Sequence, residues 1–177
     1  THKNVIRIYD FLNLSGSYAI SMEYFPSHTL GAEVGGKPLP FDKAIGWAND
    51  IATGMSIAHQ VGIVHRDLKP ANIMIKRTGT KKLIDMDSSC ERQVDQQAEI
   101  RGTPYYMAPE LIRERDVRYR SDIASLGYVL IEMLTGKLLF KECKTLDQLL
   151  EKKLRLPDEL VEYMPRYDHI GLRLDLL

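Results

Sequence analysis

The segment His65-Arg66-Asp67-Leu68-Lys69-Pro70-Ala71-Asn72 concentrates the residue types that move a phosphoryl group. It follows the apolar run Gly62-Ile63-Val64 and so reads as a loop after a short strand, with Asp67, a lysine two residues on and an asparagine five residues on. Asp67 can accept a proton from a hydroxyl, Lys69 can neutralise a phosphoryl group, and the side-chain carbonyl of Asn72 can ligate a hard cation. Thirteen residues past Asn72, Asp85 ends the apolar strand Lys82-Leu83-Ile84-Asp85. A carboxylate at a strand end, near an asparagine and a second aspartate, suits a Mg2+ carried by a nucleotide. In phosphoryl transfer, positioning and charge neutralisation do nearly all of the catalysis, and these are its parts.

These side chains need a scaffold, and the chain is long enough to supply one. Its 177 residues amount to one domain. With 44% hydrophobic and 27% charged residues it has the balance of a soluble globular domain, which excludes disorder, collagen and a disulfide scaffold. Residues 5–24 predict a β-hairpin turning at Ser15-Gly16-Ser17, and the Gly- and Pro-rich stretch 26–40 predicts a linker or hinge. Residues 42–60 predict an amphipathic helix capped by Asp42, with Ala44, Ala48, Ile51, Ala52, Met55 and Ala58 on one stripe. Gly62–His65, Asn72–Lys76 and Lys82–Asp85 predict short strands, the last two joined by a turn at 77–80. Residues 88–107 read as a long loop, of the kind that is usually functional. A strongly apolar, buried helix follows over Arg120–Thr135, stopped by Gly136, and another over about 145–155 is expected to end before Pro157. Strands first and helices after predict the α+β class.

Lys plus Arg (24) equals Asp plus Glu (24), so no basic field points to nucleic acid or an anionic membrane. No apolar run is long enough to span a bilayer, and Thr1-His2-Lys3-Asn4 is not a signal peptide. The absence of a start Met is what a piece of a longer chain would show. Cys90 and Cys143 make no framework and no zinc spacing, and predict two free thiols in a reducing, cytoplasmic compartment.

On residues 65–72 the chain resembles a protein kinase, whose catalytic loop has the pattern H-R-D-L-x-x-x-N. Lys69, Pro70 and Ala71 resemble the serine/threonine branch. A second match, Gly102-Thr103-Pro104-Tyr105-Tyr106-Met107-Ala108-Pro109-Glu110, resembles the end of the activation segment, the shelf that receives a peptide substrate. The resemblance implies that Asp67 orients or deprotonates the substrate hydroxyl, that Lys69 neutralises the γ-phosphate of ATP, and that Asn72 and Asp85 hold Mg2+. Arg66 would couple the activation segment to Asp67, Thr103 would bond Asp67 and Lys69, and His65 would be structural. Asp122 would be the buried carboxylate that holds the catalytic-loop backbone. Met22-Glu23-Tyr24-Phe25 resembles the hinge between kinase lobes. Met22 would lie beside the adenine, the Glu23 carbonyl and Phe25 N–H would bond its edge, and Met74 would form part of the pocket floor. Residues 1–25 would then be the end of the small lobe with the hinge, and 26–177 the large lobe. The partners implied are ATP and a protein substrate, with no nucleic acid and no membrane segment.

The chain also departs from the family. No G-x-G-x-x-G, Val-Ala-Ile-Lys strand or helix-C glutamate is present, and the arginine that pairs with Glu110 in the family falls past the end. Asp85-Met86-Asp87 replaces Asp-Phe-Gly: the ligand is retained, but Asp87 adds charge and loses the conformational freedom of glycine. Ala124 stands where the family usually has Trp. Residues 90–102 contain no Ser, Thr or Tyr, and Glu99, four residues before Thr103, is either a fixed anion for Arg66 or a solvated loop charge. Three readings stay open: a serine/threonine kinase domain seen in part and itself inactive, a pseudokinase or truncated paralogue used as a scaffold, and a small-molecule phosphotransferase. The last lacks a reason for the 102–110 shelf. The apolar backs of residues 5–24 predict poor solubility for the isolated chain.

Overall fold

The computed structural model describes residues 2–85, 104–113 and 119–163. Two small antiparallel sheets precede a helical body, so the class is α+β as expected. Strands β1 (Ile8–Leu14) and β2 (Ser17–Met22) form the hairpin. Its two-residue turn has both Ser15 (φ 50°) and Gly16 (φ 99°) in the left-handed region, which matches the twist of paired strands. Phe11 and Tyr18 stack across it at 5.4 Å, and Ile8, Tyr9, Leu14 and Ile20 are exposed.

The hairpin is shorter than the sequence suggests, because residues 4–6 are claimed elsewhere. The Ile6 N–H donates to the Leu83 carbonyl, and the Leu83 N–H to the Asn4 carbonyl, each at 2.9 Å. These residues run beside the second sheet, which has the order β3 (His28–Thr29), β4 (Ile73–Ile75), β5 (Lys81–Leu83). The turn at 77–80 is formed as expected, with Gly79 at φ 89°.

The stretch 26–40 is not a plain linker. It contains β3 and a short helix, α1 (Leu30–Val34), capped by the Thr29 hydroxyl on the Ala32 N–H (3.1 Å) and closed by left-handed Gly35. Helix α2 (Phe41–Gln60) begins one residue before the expected cap: Pro40 holds that place and its carbonyl accepts the Ala44 N–H at 3.0 Å. Asp42 lies in the first turn and acts through the helix dipole alone. The buried stripe runs Ala44, Trp47, Ile51, Met55, Ala58, with Ala48 and Ala52 at its half-buried margin.

Gly62–His65 forms no strand. Gly62 and Ile63 turn back on the end of α2, and the His65 N–H is taken by a side chain rather than a neighbouring strand. Of the long loop, residues 88–103 lie outside the described residues, and Pro104–Tyr106 is a single tight turn leading to α3 (Pro109–Arg113). Helix α4 (Tyr119–Thr135) is buried on one face only, since Ile123 is 56% exposed. Helix α5 (Leu146–Tyr163) runs through Pro157 instead of stopping before it. Pro157 faces solvent while Leu149, Lys153 and Leu156 keep the helix on the core, and this packing outweighs one lost main-chain bond.

The main core joins α2, α4 and the second sheet through Leu30, Trp47, Met55, Ile73, Leu83 and Met133. A second cluster joins α3, α4 and α5 through Ile112, Tyr128, Phe140 and Leu149, and holds the buried thiol of Cys143. Gly136 (φ 68°) ends α4 where the chain of Lys37 and Pro38 crosses, and a Cβ there would lie 2.6 Å from the Lys37 carbonyl carbon. Gly136→Ala therefore combines strain with a main-chain clash and should cost about 2–3 kcal/mol, read as a shift of the urea midpoint.

Lys153 is 2% exposed in the second cluster, and burial pushes its ammonium down to about 6 from 10.5. Between those values the unfolded chain holds a proton that the folded chain sheds, so stability rises with pH across that window. Denaturation at pH 6, 8 and 10 should show wild type gaining on Lys153→Met as pH increases; a constant difference would contradict the burial.

Candidate active site

The loop from His65 to Asn72 has little regular structure of its own, and its shape comes from α4. Asp122, wholly buried in the first turn of that helix, accepts the His65 N–H at 2.8 Å on Oδ2 and the Arg66 N–H at 2.9 Å on Oδ1. The same Oδ2 meets His59 Nε2 at 2.7 Å. Pinned this way, Arg66 takes φ 65°, a conformation non-glycine residues rarely hold without support. The Asp67 N–H then folds back to the His65 carbonyl at 2.8 Å.

This places the three residues of the expected set together. Lys69 Nζ lies 2.7 Å from Asp67 Oδ2, and Asn72 Nδ2 donates to the Asp67 carbonyl at 2.9 Å and to Oδ2 at 3.2 Å. Asp67 and Lys69 make further interactions besides these. Since the Asn72 amide nitrogen is spent on Asp67, the oxygen Oδ1 is its available end. The Ile84 N–H donates to the Asn72 carbonyl at 3.0 Å, which brings the end of β5 to Asn72. Asp85 follows directly, exposed and at φ 61°. An amide oxygen and an exposed carboxylate are hard donors that fit Mg2+ bound jointly with phosphates.

The His65 side chain is buried beneath this set, and neither ring nitrogen has a partner among the described residues. Burial holds the imidazole below its usual range, against the opposing pull of Asp122, Asp67 and Asp85. It is therefore neutral near pH 7. Arg66 is half-buried, with Nε also unpartnered among the described residues.

The expected hinge is tied to β5 through Lys82. Met22 ends β2 and is 46% exposed. The Glu23 N–H donates to the Arg7 carbonyl at 2.9 Å, while its carboxylate accepts the Arg7 N–H at 2.8 Å and pairs with Lys82. Those contacts hold the Glu23 carboxyl below the usual range, the bond from Lys82 foremost. Phe25 has the ammonium groups of Lys82 and Lys76 at 5.5 and 5.8 Å from its ring, and its carbonyl accepts the Ser27 hydroxyl at 2.7 Å. Met74, on β4, pairs with Thr29 of β3 on one side and Lys82 of β5 on the other.

Glu99, Thr103 and Asp87 fall outside the described residues. Glu110 is half-buried on α3 and accepts the Ser121 hydroxyl at 2.8 Å. Ala124 is half-buried against the second cluster. The sequence reading missed three residues. His59 sits at a helix end, where a histidine reads as a solvated dipole partner. Lys82 sits in a β pattern that gave no cue to its ion pair. Lys153 lies within the expected helix over 145–155, where a lysine reads as a solvated surface charge. Among the described residues no cluster of three metal-ligating side chains occurs, and no helix is long and apolar enough to cross a membrane.

The protein kinase domain model matches residues 1–167. The chain is 38% identical over 148 residues to the serine/threonine-protein kinase PknB of Mycobacterium leprae, covering 77% of this chain and 23% of the relative. It is 40% identical over 124 residues to PknB of Mycobacterium tuberculosis, covering 67% and 20%. With mitogen-activated protein kinase kinase kinase 13-A of Xenopus laevis it shares 35% over 144 residues, covering 80% and 15%. The chain belongs to the protein kinase family, in its serine/threonine branch. It spans about a fifth of the length of the two PknB relatives.

Asp122→Ala would leave two buried N–H groups and His59 without their acceptor. It should cost about 3–5 kcal/mol in chemical denaturation, whereas Asp42→Ala, at an exposed first turn, should cost under about 1 kcal/mol.

Proposed function

We propose that the chain is the large lobe, with the end of the small lobe and the hinge (residues 1–25), of a serine/threonine protein kinase that transfers the γ-phosphoryl group of ATP to protein hydroxyls. The observation that carries this is the arrangement of Lys69 and Asn72 on the Asp67 carboxylate, 2.7 and 3.2 Å from Oδ2, in a loop fixed by Asp122. Asp67 orients the substrate hydroxyl and takes its proton as the new bond from that oxygen to the γ-phosphorus forms and the bond from the γ-phosphorus to the β-phosphate oxygen breaks, with ADP leaving. Lys69 offsets the negative charge on the transferring group. Asn72 Oδ1 and the Asp85 carboxylate would hold Mg2+, which draws charge from the phosphate oxygens. The Glu23 carbonyl and Phe25 N–H bind the adenine edge, beside Met22 and above Met74. The strap from Lys82 to the Glu23 carboxylate keeps that main chain in place.

Arg66 would couple the activation segment to Asp67, and Glu110, which accepts the Ser121 hydroxyl, anchors the shelf that receives the peptide. The buried free thiol of Cys143 suits a reducing compartment such as the cytoplasm. Asp87 in place of glycine favours a second reading, a pseudokinase scaffold that binds nucleotide without turnover.

Titration with MgATP in a calorimeter should show binding that Asp85→Ala abolishes. In the full-length protein, Asp67→Asn should retain that binding and lower kcat on a Ser/Thr peptide library by about 10²–10⁴-fold. Nucleotide binding without transfer by wild type would select the scaffold, and no binding by the full-length protein would overturn both.

A further inference from the structure

Lys153 lies on the inner face of α5, within a cluster that is otherwise apolar and aromatic. Its Nζ donates to the Tyr105 carbonyl at 2.6 Å and lies 3.7 Å from the ring centroid of Tyr128 and 4.8 Å from that of Phe140. Among the described residues no carboxylate pairs with it. A leucine or methionine would fill the same space without the desolvation cost of an amine. What the lysine adds is one donor, delivered to one main-chain carbonyl 48 residues away.

That carbonyl belongs to the middle residue of the Pro104–Tyr106 turn. The turn is held at two other points: the Met107 N–H closes on the Pro104 carbonyl at 3.1 Å, and the Tyr106 hydroxyl bonds Glu132 of α4. Burial pushes the Glu132 carboxyl up and raises the Tyr106 hydroxyl, and the bond joins two half-buried groups. Thus α4 grips the turn through a side chain, and α5 grips its backbone. Only the second grip fixes the height of the main chain, since a tyrosine side chain can swing while its backbone moves.

We propose that Lys153 is a positioning residue for the peptide substrate, acting through the Tyr105 carbonyl to set the main-chain height of the 104–107 shelf. This rests on the kinase reading above, in which that shelf receives the peptide. The bond to the carbonyl does not require the charge, because a neutral amine still donates to it.

The test uses the full-length protein with Lys153→Met, which keeps length and apolar bulk but has no donor, and Lys153→Gln, which has a donor and no charge. Two readouts are taken on each: steady-state KM for peptide and for MgATP, and amide hydrogen exchange at Tyr106 and Met107. Lys153→Met is expected to raise the peptide KM three- to tenfold with the MgATP KM within twofold of wild type. It should also speed exchange at the two amides about tenfold, with α2 unchanged. Lys153→Gln should fall closer to wild type in both. Unchanged exchange at the turn in Lys153→Met overturns the proposal even if the protein transfers no phosphate, an outcome that would separately remove the kinase reading. Equal changes in both KM values, or equal losses in the Met and Gln variants, overturn it as well. Should Lys153→Met fail to fold, the Gln variant decides: wild-type exchange supports the carbonyl bond, and exchange as fast as in unfolded peptide sinks it.

Discussion

Asp122 is a buried carboxyl with no lysine or arginine partner among the described residues, and what makes that tolerable is the set of donors converging on it. Two main-chain N–H groups and one imidazole nitrogen, all within 2.9 Å, replace the water a carboxylate would otherwise require. The dependence is mutual. Without the carboxylate, His65 and Arg66 have no reason to leave the strand geometry that their sequence favours. Without those donors, α4 could not carry a charge on its buried face. The left-handed turn at Arg66, the backward fold of Asp67 and the meeting of Lys69 with Asn72 all follow from that exchange.

The second sheet performs a comparable task at smaller scale. Strand β4 leaves Asn72, β5 arrives at Asp85, and β3 follows Phe25 by three residues, so three short strands set Asn72 and Asp85 in register with the segment after the first hairpin. Lys82 extends this link to the Glu23 carboxylate and, through the Val5 carbonyl at 3.3 Å, to the residues before the hairpin. A strained Asp85 (φ 61°) at the end of such a strand is held by its neighbours rather than by local preference.

Much of this was legible in the sequence, and the failures share a cause. The stripe of α2, the turn at Gly79 and the end of α4 at Gly136 obey local rules of period and backbone freedom. Asp67, Lys69, Asn72 and Asp85 were legible because their chemistry is rare as a group. What could not be read were outcomes decided at a distance. Gly62–His65 has strand composition but gives its N–H groups to Asp122. Val5 has hairpin composition but runs beside Leu83. Pro157 is a local stop overruled by the packing of α5. The lysine at 153 breaks its stripe by composition, yet its stem packs as a methylene chain and only its tip is polar.

The bond between Asp122 and the loop spans 57 residues of sequence, and this has a consequence in time. A ribosome making about 5–20 residues per second needs roughly 3–11 s to proceed from His65 to Asp122. For that interval the loop exists without the group that shapes it, and β4 and β5 are completed within its first third. The nascent chain therefore presents apolar strands, and main-chain donors still bound to water, for seconds before the loop can take its shape. Whatever accompanies this protein off the ribosome meets it in that state.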